Sequence, residues 1–184
     1  MYLIYYGEIK MSDEIHMGLP LEIGQEVPNV NLMTNTDDGM VALNTKEQFA
    51  GQRVILFALP GAFTPTCSTK QLPGFDALYS QFVEKGIDAI YCLSVNDTFA
   101  MNSWFKELDI QNVRPLADGN GEFTHKIGAE CKKANLGFGY RSWRYALVLN
   151  DGKVEHMFLE EGFADNIETD PFEVSSAEYV LDSI

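Results

Sequence analysis

The chain predicts an α/β fold: a central mixed β-sheet flanked by helices, extended on its N-terminal side by a β-hairpin. Three observations carry that expectation. Residues 53–59 (Arg-Val-Ile-Leu-Phe-Ala-Leu) and 88–95 (Asp-Ala-Ile-Tyr-Cys-Leu-Ser-Val) are nearly continuous apolar runs, which mark strands covered on both faces. A segment of helical periodicity follows each run, and strands alternating with helices pair in parallel through right-handed crossovers. Residues 143–149 and 153–159 then flank Asn150-Asp151-Gly152, a hairpin signal that adds antiparallel strands to the same sheet.

In chain order, residues 1–23 are a lead-in of weak signals and residues 24–184 form one domain. Residues 30–33 alternate as a short strand, Thr36-Asp37-Asp38-Gly39 makes a turn, and residues 40–43 return. Asn44 or Thr45 can cap a short helix through Phe49 that ends at Gly51. From Pro65 a helix runs to about Lys85, because Leu72, Phe75, Leu78, Tyr79 and Phe82 recur at three- and four-residue steps. Pro73-Gly74 should kink it, and Gly86 closes it. Asn96-Asp97 caps a helix over 98–108, residues 113–117 are a third core strand, and a short helix covers 123–127. Residues 128–142, with Gly128, Gly137 and Gly139, read as a loop, as does the acidic stretch 160–170. Ser175-Ser176-Ala177-Glu178 reads as a capping box that opens the closing helix.

A length of 184 residues suits one domain, and a hydrophobic content of 46% supplies its core. No apolar run approaches the roughly 18 residues of a membrane span. Residues 1–6 are apolar but short and carry no basic leader, so no signal peptide is expected; Met11 is a second candidate start. The net charge of −14 argues against nucleic acid and against an anionic membrane surface as partners. Cys67, Cys92 and Cys131 are an odd, widely spaced set, which is no disulfide framework and points to a reducing cytoplasm. No cofactor and no metal are expected, since there is no Cys-x-x-Cys and His16, His125 and His156 do not fall at ligand spacing.

The chemistry gathers at Leu59-Pro60-Gly61-Ala62-Phe63-Thr64-Pro65-Thr66-Cys67-Ser68, where the first core strand hands over to a helix. Thr64 is a natural N-cap, and Pro65 suits the first helical position. Cys67 then lies in the first turn, where free backbone N–H groups and the helix dipole favour a thiolate. The bland reading is a buried structural cysteine; the Pro-Gly-x-x-Thr-Pro-x-Cys setting weighs against it. Pro60-x-x-x-Thr64-x-x-Cys67 resembles the active-site motif of the peroxiredoxins, and the longer string is similar to the type-5 branch, called type II in plants. Leu72-Pro73-Gly74-Phe75, residues 92–97, Arg144 and residues 174–178 extend the resemblance over residues 24–184. It implies a thioredoxin-like fold, peroxide reduction by one cysteine, and a homodimer.

On that resemblance Cys67 attacks the peroxide and becomes a sulfenic acid. The Thr64 hydroxyl can hydrogen-bond sulfur or a peroxide oxygen. Arg144 is a permanent cation that can polarise the peroxide, with Arg141 as the competing arginine. Pro60 shields the sulfur from water, and Gly61 with the backbone N–H groups of Thr66 and Cys67 lines the substrate position. The sulfenic acid must be reduced by another thiol. Animal type-5 enzymes carry a resolving cysteine in the segment that matches about residues 160–175, and this chain has none there. Cys92 sits in an apolar strand and Cys131 in an expected loop. A one-cysteine cycle reduced by glutathione through a glutaredoxin is therefore favoured, against a two-cysteine cycle with Cys92 or Cys131 and thioredoxin. Of the rivals, a thioredoxin-type dithiol exchanger lacks its second cysteine at Lys70. A cysteine hydrolase lacks a nearby histidine base, and a non-catalytic holdase does not account for Thr64, Cys67 and Arg144 together.

Overall fold

The computed structural model of the chain describes residues 19–36 and 39–184. Met1, Met11, most of the lead-in and the turn residues Asp37 and Asp38 lie outside the described residues. The strands are β1 (Asn31–Thr36), β2 (Gly39–Asn44), β3 (Arg53–Ala58), β4 (Ala89–Ser94), β5 (Arg114–Ala117), β6 (Glu130–Lys132), β7 (Tyr140–Ser142), β8 (Tyr145–Asn150) and β9 (Lys153–Leu159). The helices are α1 (Thr45–Phe49), α2 (Leu72–Ala77), α3 (Tyr79–Glu84), α4 (Thr98–Glu107), α5 (Glu122–Lys126) and α6 (Ala177–Ser183), with a π-helical turn over Cys67–Gln71.

The central sheet has the order β5-β4-β3-β8-β9. The two apolar runs pair in parallel as β3 and β4, and β5 adds in parallel to β4. β8 and β9 join antiparallel on the other side of β3, as the hairpin signal predicts. Asp151 and Gly152 supply that turn with φ of 51° and 73°, the left-handed pair that a two-residue hairpin needs. β1 and β2 make a separate antiparallel hairpin.

Side chains alternate across the sheet with the period of two that strands impose. Val54, Leu56 and Ala58 face one cluster with Phe49, Tyr91, Leu93, Phe123, Leu147 and Leu149. Ile55 and Phe57 face the other, with Cys92, Phe75, Phe82, Trp104, Val148 and Val180. So α1 and α5 cover one face, while α2, α3, α4 and α6 cover the other. Phe57 and Phe75 stack at 4.2 Å between ring centres, a contact of about 0.5–1.5 kcal/mol beyond its buried area. Caps hold the helix starts. Asn44 Oδ1 accepts from the N–H groups of Lys46 and Glu47, and Asp97 Oδ1 accepts from that of Ala100.

Three expectations are corrected. The helix from Pro65 is not a single kinked rod. Its irregularity comes before Pro73, as a π turn in which the Leu72 N–H reaches back to the Cys67 carbonyl, with a second break at Leu78. The wider turn relieves the clash that the proline ring would have with a carbonyl one α-turn earlier. Residues 128–142 are not all loop, since β6 and β7 pair there with Cys131 opposite Arg141. Their three-residue strands are too short to show a period. The final cap is Ser176, whose Oγ accepts from the Tyr179 N–H, and not Ser175, whose hydroxyl is taken by Glu160. Beyond these corrections, Leu19 and Leu21 of the lead-in are buried, and at the start of the domain Gly24 N–H donates to the Val154 carbonyl at 2.7 Å.

Candidate active site

The loop after β3 is held to the neighbouring strand by a small polar knot. Asn96 Oδ1 accepts from the Ala62 N–H at 3.0 Å and from the Ser94 hydroxyl at 2.7 Å. Arg141 is built into the same knot, donating to the carbonyls of Val95 and Phe138 at 3.0 and 2.9 Å. Gly61 packs under it: an added Cβ would lie 3.2 Å from Arg141 Nη1. Pro60 is buried beside it. Phe63 takes φ 63°, a left-handed conformation that costs a non-glycine residue on the order of 1 kcal/mol. That strain turns the chain sharply enough to start the helix at Pro65.

Thr64 stands immediately before the helix, and its carbonyl accepts the first helical bond from Ser68 N–H at 3.0 Å. Contrary to the N-cap expectation, its hydroxyl accepts no bond from a helix N–H. It donates to the Gly61 carbonyl at 2.8 Å and closes the preceding turn. Cys67 follows in the first turn and is fully buried.

Arg144 joins β7 to β8 and is 2% exposed. Its Nη1 lies 3.5 Å from Cys67 Sγ and donates to Gln71 Oε1 at 2.6 Å. Its Nη2 donates to Asp170 Oδ1 at 2.5 Å. The Phe172 ring covers the guanidinium at 5.7 Å. Burial alone would lower the pKa of Arg144, but the charges of Cys67 and Asp170 outweigh it and hold the group above its ordinary value. Asp170 responds in kind: burial pushes it up, and Arg144 with the Thr66 hydroxyl brings it below the usual carboxylate range. Of the two competing arginines, the fold therefore brings Arg144 to the cysteine and makes Arg141 part of the loop's scaffold.

Gln71, Asp170 and Glu160 were not singled out from the sequence. Gln71 had a signal: four residues after Cys67, it shares the cysteine's helix face. Asp170 and Glu160 had none, because they sit in an acidic stretch that reads only as a loop. Glu160 is in fact buried and accepts at Oε1 from the Glu173 N–H, the Ser175 N–H and the Ser175 hydroxyl at 2.7–2.9 Å. Cys92 is buried on β4 in the same cluster as Cys67. Burial, then the nearby Cys67 charge, push its thiol pKa well up, with Arg144 pulling the other way. Cys131 is no exposed loop residue but a buried member of β6, pushed up to about 11 chiefly by burial. His125 and His156 lie at the surface beside glutamates.

A sequence profile of the Redoxin family matches residues 22–181. Peroxiredoxin y4vD of Sinorhizobium fredii is 58% identical over 140 residues, covering 76% of this chain and 74% of that one. The chain belongs to the peroxiredoxin family. Two solved structures are close to it. The Plasmodium falciparum antioxidant protein, described as a 1-Cys peroxiredoxin, matches with a TM-score of 0.85 at 35% identity, covering 89% of this chain and 98% of that one. Reduced Prx3 of Vibrio vulnificus in complex with hydrogen peroxide matches with a TM-score of 0.81 at 41% identity and the same coverage. The chain is thus a thiol peroxidase on a thioredoxin-like fold, taking a peroxide and a thiol reductant, which displaces the dithiol-exchanger, hydrolase and holdase readings.

Proposed function

We propose that Cys67 is the peroxidatic cysteine and that Arg144 is its electrostatic partner. The observation that carries this is the 3.5 Å approach of Arg144 Nη1 to Cys67 Sγ in a buried setting. The thiolate attacks one peroxide oxygen, the O–O bond breaks, and both bonding electrons leave with the second oxygen. Cys67 becomes a sulfenic acid, and the departing oxygen takes a proton to leave as water or an alcohol. A permanent cation at the sulfur favours the attacking anion and the charge growing on the leaving oxygen. The backbone N–H groups of Thr66 and Cys67 hold the peroxide. The Thr64 hydroxyl, its hydrogen engaged by Gly61, offers lone pairs to the substrate's O–H. Pro60 and Gly61 keep that side of the sulfur dry and closely packed. Hydrogen peroxide is the substrate we favour, with alkyl hydroperoxides as a second class.

Reduction runs through a one-cysteine cycle with glutathione, delivered by a glutaredoxin, in the cytoplasm. The absence of cysteine from residues 160–176 supports it, as does the likeness to a chain described as a 1-Cys peroxiredoxin. Exposed Phe63 and Phe99, at 51% and 59%, offer apolar surface for the second copy of a homodimer, which sedimentation analysis tests. The test of the cycle is intact-mass analysis after one equivalent of hydrogen peroxide and then glutathione. A glutathione adduct on Cys67 is expected; an internal disulfide as the main species overturns it.

One observation favours a second reading. Cys92 shares a core cluster with Cys67 and is coupled to it electrostatically, so both sulfurs lie in the same region of the core. Cys92→Ala separates the two. In the one-cysteine cycle it costs on the order of 1–2 kcal/mol of stability and keeps turnover with glutathione and glutaredoxin. In the two-cysteine cycle turnover with thioredoxin is lost, and so is a Cys67–Cys92 bridge.

A further inference from the structure

Arg144 is almost sealed from water, yet Asp170, with a side chain 46% exposed, reaches its outer nitrogen. The carboxylate makes two contacts on two different elements. One is the hydrogen bond to Arg144 Nη2 at the start of β8; the other is a weaker electrostatic approach to the side chain of Thr66, the residue before Cys67. One side chain thus spans the two halves of the reacting pair. Gln71 Oε1 holds the inner nitrogen, Asp170 holds the outer one, and Nε has no partner. With the fork pinned at both ends, Nη1 is left pointing at the sulfur.

Asp170 is itself held in place from both sides. Upstream, Asp165 Oδ1 accepts from the Lys132 N–H at 2.7 Å, and Asn166 Oδ1 accepts from the N–H groups of Ala134 and Asn135. Downstream, buried Glu160 fixes Glu173 and Ser175. Between these anchors the short bridge carries Asp170 and then Phe172, whose ring lies over the guanidinium. An exposed ion pair on a loose loop contributes little; here the loop is tied down and one partner is buried.

We propose that Asp170 is a positioning residue: it sets the aim of Arg144 at the substrate oxygens bound beside Cys67, and acts only through that arginine. The proposal rests on the reading of Cys67 and Arg144 as the reacting pair. It differs from a role in activating the thiol. Asp170 is a second anion on the same cation, so removing it leaves more of the positive charge to the sulfur while releasing the guanidinium's aim.

The two roles separate with two electrophiles. Hydrogen peroxide needs both the thiolate and an aimed donor, whereas iodoacetamide needs the thiolate alone. Asp170→Ala should slow the single-turnover reaction of Cys67 with hydrogen peroxide about tenfold and slow alkylation by iodoacetamide less than twofold. In an Arg144→Leu background the same change should alter the peroxide rate less than twofold, because its target is gone. A peroxide rate within twofold of wild type in Asp170→Ala overturns the proposal. So does a parallel fall in both rates, or a full tenfold effect that persists without Arg144. Cys67→Ser and Arg144→Leu, measured alongside, keep the two levels apart. If either reacts with peroxide like wild type, the reading of the site fails. If both are impaired and Asp170→Ala is not, only the role of Asp170 falls.

Discussion

Cys67 and Cys131 are buried alike, at 0% and 1% exposure, and differ in almost everything else. Cys67 opens a helix, with unpaired backbone N–H groups around it and a guanidinium at 3.5 Å. Cys131 sits mid-strand in β6, where its own N–H and carbonyl serve the ladder and Asp165 and Glu130 add negative charge. Lys133 opposes those charges, but burial outweighs it and the thiol is pushed up to about 11. On the proposed assignment, exposure therefore does not distinguish the peroxidatic sulfur from a structural one in this chain. What distinguishes them is the sign of the local field and whether the backbone beside the sulfur has donors to spare for a substrate.

The hardest way to break that contrast is to remove the sulfur. Cys67→Ser is nearly isosteric and should fold normally, yet lose essentially all peroxidase activity in a peroxide-consumption assay. Activity above a few per cent of wild type would mean that another thiol carries the reaction. Removing the field is the next largest change. Arg144→Leu leaves the helix start in place and should slow the reaction of Cys67 with hydrogen peroxide on the order of 100-fold, the usual cost of one preorganised transition-state donor. A rate within threefold of wild type would show that the helix start alone suffices.

How much of this contrast the sequence discloses follows from the range of the interactions. The Cys67 turn is local: Pro60, Gly61, Thr64 and Pro65 lie within eight residues, and each has its own conformational signature. The core strands, the Asn44 and Asp97 caps and the Asp151-Gly152 turn are legible for the same reason. Arg144 could be recognised by resemblance, but its distance to a cysteine 77 residues away could not. Cys131 was misplaced because β6 and β7 are three residues each and show no period. The acidic stretch that holds Glu160 and Asp170 reads only as loop, because the partners of these carboxylates lie elsewhere in the chain. An acidic stretch looks the same from its composition whether its carboxylates face water or fan onto backbone N–H groups.

Serine at Cys131 sharpens the comparison from the other side. As a loop residue it would tolerate that change silently. Buried in β6, it should not: the hydroxyl enters a setting packed for sulfur, at a cost of about 1–3 kcal/mol if it finds no partner. Urea unfolding should register that loss while peroxide turnover stays within twofold of wild type. A stability change under 0.3 kcal/mol would show that the site is looser than the near-complete burial of Cys131 implies.

The smallest effect is the most specific, because it reads the field at Cys131 directly. Folding raises this thiol from its ordinary value of 9.0 to about 11, so the folded protein holds the proton more tightly than the unfolded chain does. Below pH 9 both states are protonated and the stability this contributes is fully present. As pH rises from 9 the unfolded chain releases its proton first, and stability falls until about pH 11, where the folded thiol ionises too. At 1.36 kcal/mol per unit of difference, the full loss is roughly 3 kcal/mol. Cys92 and Tyr145 are also pushed up by burial and slope the same way, so the wild-type curve alone cannot isolate Cys131. The difference between wild type and Cys131→Ala can. In that variant the decline between pH 9 and 11 should be shallower by about that amount, with equal slopes below pH 8. Parallel curves across the whole range would mean that Cys131 ionises as easily folded as unfolded. Then burial could not be what keeps it inert, and the contrast with Cys67 would have to rest on its distance from the peroxide alone.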